Sequence, residues 1–317
     1  MPRLILAVVL VLAWTLPAAA EYPERPLTIV AAYPAGGMVD IVARPMAESM
    51  KKKFPKGVTV LNRPGGGGSV GLAEVVQAKP DGYTVILAPV STLVIHPQLN
   101  PLPYKTPDDY EPIMNTIAFS SMLVVQHDSP WKTAAEFVNA AKAAPGKLRV
   151  ASPGEGTSSH LNLEQLMVHA KVKVTHVPFS GWGETSPAIL GGHVDAVVAQ
   201  PGEIKPLVDA KKLRPLLAFQ DKRQRLYPDT PTAKEAGWPT ALGTWFVLTA
   251  PKGTPPAVLK YLHDAAKAAI EEPSFVTLMN NRGVDIEYKT AEKCRADLWT
   301  EYRLHTDILK RLGMIKN

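Results

Sequence analysis

Along most of the chain, short apolar runs rich in β-branched residues alternate with longer stretches whose apolar positions recur at helical spacing. That alternation predicts an α/β fold with parallel strands covered by helices. Leu27 to Ala31 predicts a strand, and the turn Tyr33-Pro34-Ala35-Gly36-Gly37 leads from it into a helix starting near Met38. Ile41, Val42, Met46 and Met50 fall on one side of that helix. Val58 to Leu61 predicts a second strand. A helix from about Val70 to Ala78 follows the glycines 65–68, and Pro80-Asp81-Gly82 turns into a third strand, Thr84 to Ala88. This is a βαβαβ half with short turns.

The pattern then repeats in kind, though not in sequence. Leu123 to Gln126 predicts a strand, Thr133 to Ala144 a helix ended by Pro145-Gly146, and Leu148 to Ala151 a strand. A helix from His160 to about Ala170 is followed by strands at Val172 to Val177, Val194 to Ala199 and Leu213 to Phe219. Trp245 to Thr249 predicts a further strand, and Pro255-Pro256 opens a helix from about Ala257 to Ile270. The C-terminal third reads as helical and polar enough to pack on the outside of the first half. The expected division is a leader at 1–20, one lobe of 21–123 plus 246–317, and a second lobe of 124–245.

The leader changes the picture of where the chain works. Arg3 precedes an apolar run from Leu4 to Leu16, and Ala18-Ala19-Ala20 supplies small residues for a peptidase, so cleavage is expected after Ala20. The run is short of the roughly 18 residues that suggest a membrane span. Cys294 is the only cysteine and stands between charged residues, a setting that reads as a helix surface. An export signal without a disulfide framework fits a bacterial periplasm, and no cysteine follows Ala20 to carry a lipid. A soluble periplasmic monomer is expected.

Composition adds little beyond this. Of 317 residues 46% are hydrophobic and 20% charged, which is ordinary for a globular chain. The net charge of +6 is spread out and forms no basic stripe, so nucleic acid is not an expected partner.

Three loops share one construction: a strand, a tight turn of glycine, proline and hydroxyl residues, then a helix start. They are Tyr33 to Asp40, Ser152 to His160 and Pro178 to Glu184. A helix start leaves backbone N–H groups unpaired and carries partial positive charge, so with glycine nearby it can bind a carboxylate without lysine or arginine. Each loop alone also reads as a well-capped turn; their placement in both halves suggests a shared cleft. The candidate ligand-binding residues are Tyr33, Ala35, Gly36, Gly37, Met38 and Asp40 in the first loop. Ser152, Gly156, Thr157 and Ser158 come from the second, and Phe179, Gly181 and Trp182 from the third. In the mechanism expected from these loops, a carboxylate bridges the helix starts at Gly36-Gly37 and Thr157-Ser158 as the lobes close.

Several stretches resemble one family. Arg25-Pro26-Leu27-Thr28-Ile29-Val30 and the run from Tyr33 to Arg44 are similar to the opening of the tripartite tricarboxylate transporter receptors, also called the Bug family. Asn62-Arg63-Pro64-Gly65, Pro80-Asp81-Gly82-Tyr83-Thr84, Gly156-Thr157-Ser158-Ser159-His160-Leu161 and Val177-Pro178-Phe179-Ser180-Gly181 continue the likeness. So do Gly191-Gly192-His193-Val194-Asp195 and Pro228-Asp229-Thr230-Pro231-Thr232. The resemblance implies a type II-like periplasmic-binding-protein fold, two Rossmann-like lobes around a ligand cleft. It implies a non-enzymatic receptor for a small carboxylate, without cofactor or metal, that serves two membrane subunits of a tripartite transporter. It also brings in Asp195 as a ligand-binding candidate. Phe179 stands where the family commonly has tyrosine, and Trp182 where a small residue is usual. Trp182 either faces the cleft, where it could stack on an aromatic acid, or packs between lobes.

Other chemistry is weaker. Gly66-Gly67-Gly68-Ser69-Val70-Gly71 matches the dinucleotide fingerprint, but the following strand ends in Pro89 with no acidic residue for a ribose. His160 and Glu164 have helical metal-ligand spacing without a third partner. No G-x-S-x-G elbow is present. A ligand sensor for a membrane kinase and an exported enzyme acting on a carboxylic acid remain as alternative functions.

Overall fold

The computed structural model describes residues 22–315, so the leader expected at 1–20 lies outside the described residues. In chain order the first elements are β1 (Leu27–Ala31), α1 (Met38–Met50), β2 (Val58–Asn62), α2 (Ser69–Val76) and β3 (Thr84–Pro89). Short helices α3 (Val90–Val94) and α4 (His96–Leu99) lead to β4 (Tyr110–Ser120) and β5 (Met122–Gln126). Next come α5 (Ala134–Ala143), β6 (Arg149–Ser152), α6 (Ser158–Ala170), β7 (Thr175–Pro178), α7 (Trp182–Leu190), β8 (Ala196–Ala199), α8 (Pro201–Asp209) and β9 (Leu213–Ala218). The last are β10 (Gly243–Pro251), α9 (Pro256–Ile270), α10 (Pro273–Asn281), β11 (Asp285–Thr290) and α11 (Ala291–Arg311).

Two sheets result, one per lobe. The first has the order β11-β4-β10-β3-β1-β2 and the second β7-β6-β8-β5-β9. In each, parallel strands made by βαβ crossovers meet an antiparallel strand, β10 or β5, next to the central one. Parallel strands need helices on both faces, which is why β1, β3 and β8 are almost uniformly apolar and buried. One apolar core surrounds the six-stranded sheet, and two smaller ones flank the five-stranded sheet. Helix starts follow local chemistry. Thr133 caps α5 through a reciprocal box with Glu136, and Thr157 accepts from the His160 amide at 3.2 Å to cap α6.

The chain passes between lobes twice, through Ser121 and through 219–242. Asn162 of α6, 0% exposed, holds both passages. Its Nδ2 donates to Ser121 Oγ at 3.2 Å and to Leu242 O at 2.9 Å. Its Oδ1 accepts from Thr240 Oγ1 and the Leu242 amide, both at 2.9 Å. All four of its hydrogen-bonding positions are filled.

Three features depart from the sequence reading. Strand β4 was not predicted, because buried polar residues interrupt its apolar pattern. Thr116 is one: its Oγ1 donates to Phe246 O at 3.0 Å, and it is satisfied only by tertiary structure. The charged edge strand β11 lies inside a stretch expected to be helical, and it pairs with β4. Cys294, read as a surface residue, is fully buried on the core face of α11, since its charged neighbours point to the other side of the helix. Burial pushes its thiol up to about 12. Under native conditions at mildly alkaline pH, less than about one tenth of the protein should react with a thiol reagent, and all of it should react after denaturation. Rapid native labelling would contradict the packing of α11. No helix among the described residues is long and apolar enough to cross a membrane.

Candidate ligand-binding site

The carboxyl ends of β1, β3, β6, β7 and β8 converge where the lobes meet, and the loops that follow them enclose a cleft. It is lined from the first lobe by Tyr33, Gly37, Met38 and Ser91, with Phe119 and Phe246 as apolar walls. The second lobe contributes Thr157, Ser158, Ser159, Gly181, Trp182, Gln200 and Glu203. Of the predicted residues, Tyr33, Gly37, Met38, Thr157, Ser158, Gly181 and Trp182 therefore share this cleft. The lobes are in close contact around it. A Cβ added to Gly181 would lie 2.9 Å from Pro34 Cδ across the seam, and one added to Gly156, at φ +70, would lie 2.6 Å from Leu99 Cδ1. Glycine at these positions is what lets the two lobes approach.

The second loop carries a free buried donor. Thr157 is committed to its capping bond and donates to Gly154 O at 2.8 Å. Ser158, only 2% exposed, faces the cleft with an Oγ that has no partner. Beside it are the first-turn amides of α6, which have no acceptor within the helix. Ser159 Oγ accepts from Gln200 Nε2 at 3.2 Å.

The first loop is different, and here the expected carboxylate bridge is corrected. Three of its amides, at Gly36, Gly37 and Met38, are already engaged by the protein. Gly36 N donates to Asp40 Oδ2 at 3.0 Å, Gly37 N to Pro34 O at 3.3 Å, and Met38 N to Glu203 Oε1 at 3.0 Å. Glu203 belongs to α8 of the opposite lobe, so an internal carboxylate occupies the start of α1 where a ligand was expected. The Glu203 side also receives the Gln200 amide at 3.3 Å. Glu203 is 8% exposed and, among the described residues, is the only formally charged one lining the cleft. Burial raises its carboxyl from 4.5 to about 7, opposed by the Met38 and Gln200 amides.

Asp40 is likewise a brace and not a cleft residue. It accepts from Arg44 Nε at 2.8 Å and Asn62 Nδ2 at 2.9 Å. Burial pushes its carboxyl upward, but the Arg44 guanidinium, the Gly36 amide and Asn62 outweigh it and leave the group below the usual range. Ala35 and Gly36 are exposed and are not among the lining residues. Ser152 is fully buried: its Oγ donates to Gly154 O at 3.0 Å and lies 2.7 Å from His176 Nε2. This serine–histidine contact organises the loop, because the hydroxyl has no path to the cleft. Gly156 N donates to His160 Nδ1 at 3.1 Å. Phe179 lines a separate seam cavity with Gly67, His96 and Gly154.

Asp195 is placed farthest from expectation. It precedes β8, where it accepts from the Arg149 amide at 2.7 Å and pairs with the Arg149 guanidinium at 3.6 Å. That is the amino end of the strands, about 17 Å along the chain from the first lining residue, Gln200, at ~3.3 Å per residue. His160 Nε2 lies 3.3 Å from Glu164, and the described residues contain no group of three or more metal-ligating side chains.

Gln200 and Glu203 were missed, yet their signal was present. Gln200-Pro201-Gly202-Glu203 follows a strand and carries Pro at the first helical position with an acid two residues later, the same construction as the other three loops.

A profile described as "Tripartite tricarboxylate transporter family receptor" matches residues 42–314. A protein of Cupriavidus necator, "UPF0065 protein in gbd 5'region", is 36% identical over 302 residues, covering 93% of this chain and 90% of its own. The fold is similar to that of MatC from Rhodopseudomonas palustris with bound malate (TM-score 0.86, 28% identity, covering 91% of this chain and 100% of that one). It is similar also to the periplasmic binding protein BugD (TM-score 0.85, 28% identity, covering 93% and 100%).

Proposed function

The chain belongs to the tripartite tricarboxylate transporter receptor family, and from that premise we propose that it captures a small organic carboxylate in the periplasm for delivery to a membrane transporter. The observation that carries the reading is Ser158. It is a buried hydroxyl without a partner, next to the Ser158 and Ser159 amides at a helix start and inside a cleft between two lobes. A ligand carboxylate at this point would receive the Ser158 hydroxyl and first-turn amides together, in surroundings that exclude water. Charge-assisted hydrogen bonds of this kind contribute roughly 1.5–3 kcal/mol each. The related MatC, which holds malate, supports a carboxylate as the ligand class. Binding favours the closed arrangement only to the extent that the ligand contacts both lobes. Handover to two membrane subunits follows from the family's name and is part of the proposal.

The test is a thermal-shift screen of the purified protein against organic acids, followed by calorimetry on each hit. Thr157→Ala combined with Ser158→Ala should weaken the best ligand at least about tenfold, or roughly 1.4 kcal/mol. Unchanged affinity in that double variant removes the second loop from the site.

A further inference from the structure

The cleft is chemically lopsided. The start of α6 carries donors without acceptors: the Ser158 hydroxyl and the amides of Ser158 and Ser159. Close by on the same lobe stand acceptors. Gln200 Oε1 is buried without a partner, while Gln200 Nε2 is held by Ser159. Next to it, Glu203 uses two backbone amides, and a carboxylate has about four acceptor positions. Gln200 and Glu203 are 7% and 8% exposed, and no lysine or arginine lines the cleft to neutralise the carboxylate.

We propose that this site selects a monocarboxylate bearing a positively charged nitrogen, with the carboxylate on the start of α6 and the nitrogen against Gln200 Oε1 and Glu203. This rests on the carboxylate-receptor reading above and narrows it. A ligand ammonium supplies the donors that Gln200 and Glu203 lack and also the missing counter-charge. A second ligand carboxylate in the same place would face Glu203 at close range in a weakly screened cleft, where like charges repel. Phe119, Phe246 and Trp182 also line the cleft and offer apolar surface to a carbon skeleton.

The experiment is calorimetry with skeleton-matched pairs: δ-aminovalerate against adipate, and para-aminomethylbenzoate against para-carboxymethylbenzoate. At about pH 8, where Glu203 is ionised, the amino member of at least one pair should bind at least about tenfold tighter than its dicarboxylate. Glu203→Gln should cut that preference at least about tenfold. Wild-type protein gives the same readout without a substitution, because at about pH 6 protonation of Glu203 should shrink the preference. Of the groups facing this part of α8, the Tyr33 and Tyr227 hydroxyls are held far above their usual range by burial, and the Arg282 guanidinium donates to Gly202 O at 2.9 Å. Equal or tighter binding of the dicarboxylates overturns this inference and leaves the receptor reading intact. So does a preference unmoved by both Glu203→Gln and pH. If no carboxylate of any kind binds, the receptor reading itself fails and this inference goes with it.

Discussion

Asn162→Ala is expected to destabilise the protein by roughly 3 kcal/mol, a large effect for a residue that touches no ligand. The asparagine fills four hydrogen-bonding positions on the two passages between lobes, and alanine replaces none of them. Ser121 and Thr240 are buried, so their hydroxyls lose a partner in a place that water does not readily reach. Each stranded group costs about 1–3 kcal/mol. At roughly 2–4 °C per kcal/mol for a chain of this size class, the melting temperature should fall by about 6–12 °C. Urea unfolding of both proteins checks it. A loss below about 1 kcal/mol would mean that the passages hold themselves. Asn162 also sits one helical turn after Ser158 on α6, so the segment that carries the proposed ligand donors also fastens the passages between the lobes. Looser passages should therefore carry a ligand-affinity loss as well.

The second large effect concerns pH. In the unfolded chain the Glu203 carboxyl loses its proton near its ordinary 4.5, and in the folded protein near 7. Between these values the native state holds a proton that the unfolded state has released, so the contribution of Glu203 to stability falls as pH rises through the window. At about 1.4 kcal/mol per pKa unit the total swing is roughly 3 kcal/mol, with separation of the lobes relieving part of it. His96, His176 and His305 run the other way. Burial lowers each to about 4, so their contribution is lost as pH falls below the ordinary 6.5. The histidines cancel when Glu203→Gln is compared with wild type at each pH. That difference should favour the variant increasingly from about pH 4.5 to about pH 7 and then level off. Denaturant titrations across this range decide it, and a difference that stays flat would show that the carboxyl is not confined by the cleft.

Much of the fold was legible because its strands are buried on both faces and read as unbroken apolar runs. Strand β4 was not, because Asn115 and Thr116 are polar in sequence and buried in structure; Asn115 Nδ2, for example, donates to Glu287 O at 2.6 Å. Cys294 failed for a related reason, since neighbours along a helix do not share a face. The loops around the cleft could be read from glycine and hydroxyl spacing; Trp182 lines the cleft and also packs against an apolar core of the second lobe. What local sequence could not reveal is which amides remain free. The start of α1 looks open until Glu203 arrives from 165 positions away. Asp195 was carried by likeness alone, and strand direction puts it at the far end of its sheet.

Ser120 and Gly243 are register partners, so the chain leaves for the five-stranded sheet and comes back at adjacent points of the six-stranded one. The pairing of β4 with β10 closes that excursion like a clasp. Tension applied to the two ends of the molecule is borne by the outer sheet, and the enclosed one is shielded until the clasp tears. The portion bearing Ser158, Gln200 and Glu203 is thus a mechanically sheltered cassette, and its two cut points lie close enough together for it to be exchanged as a single piece.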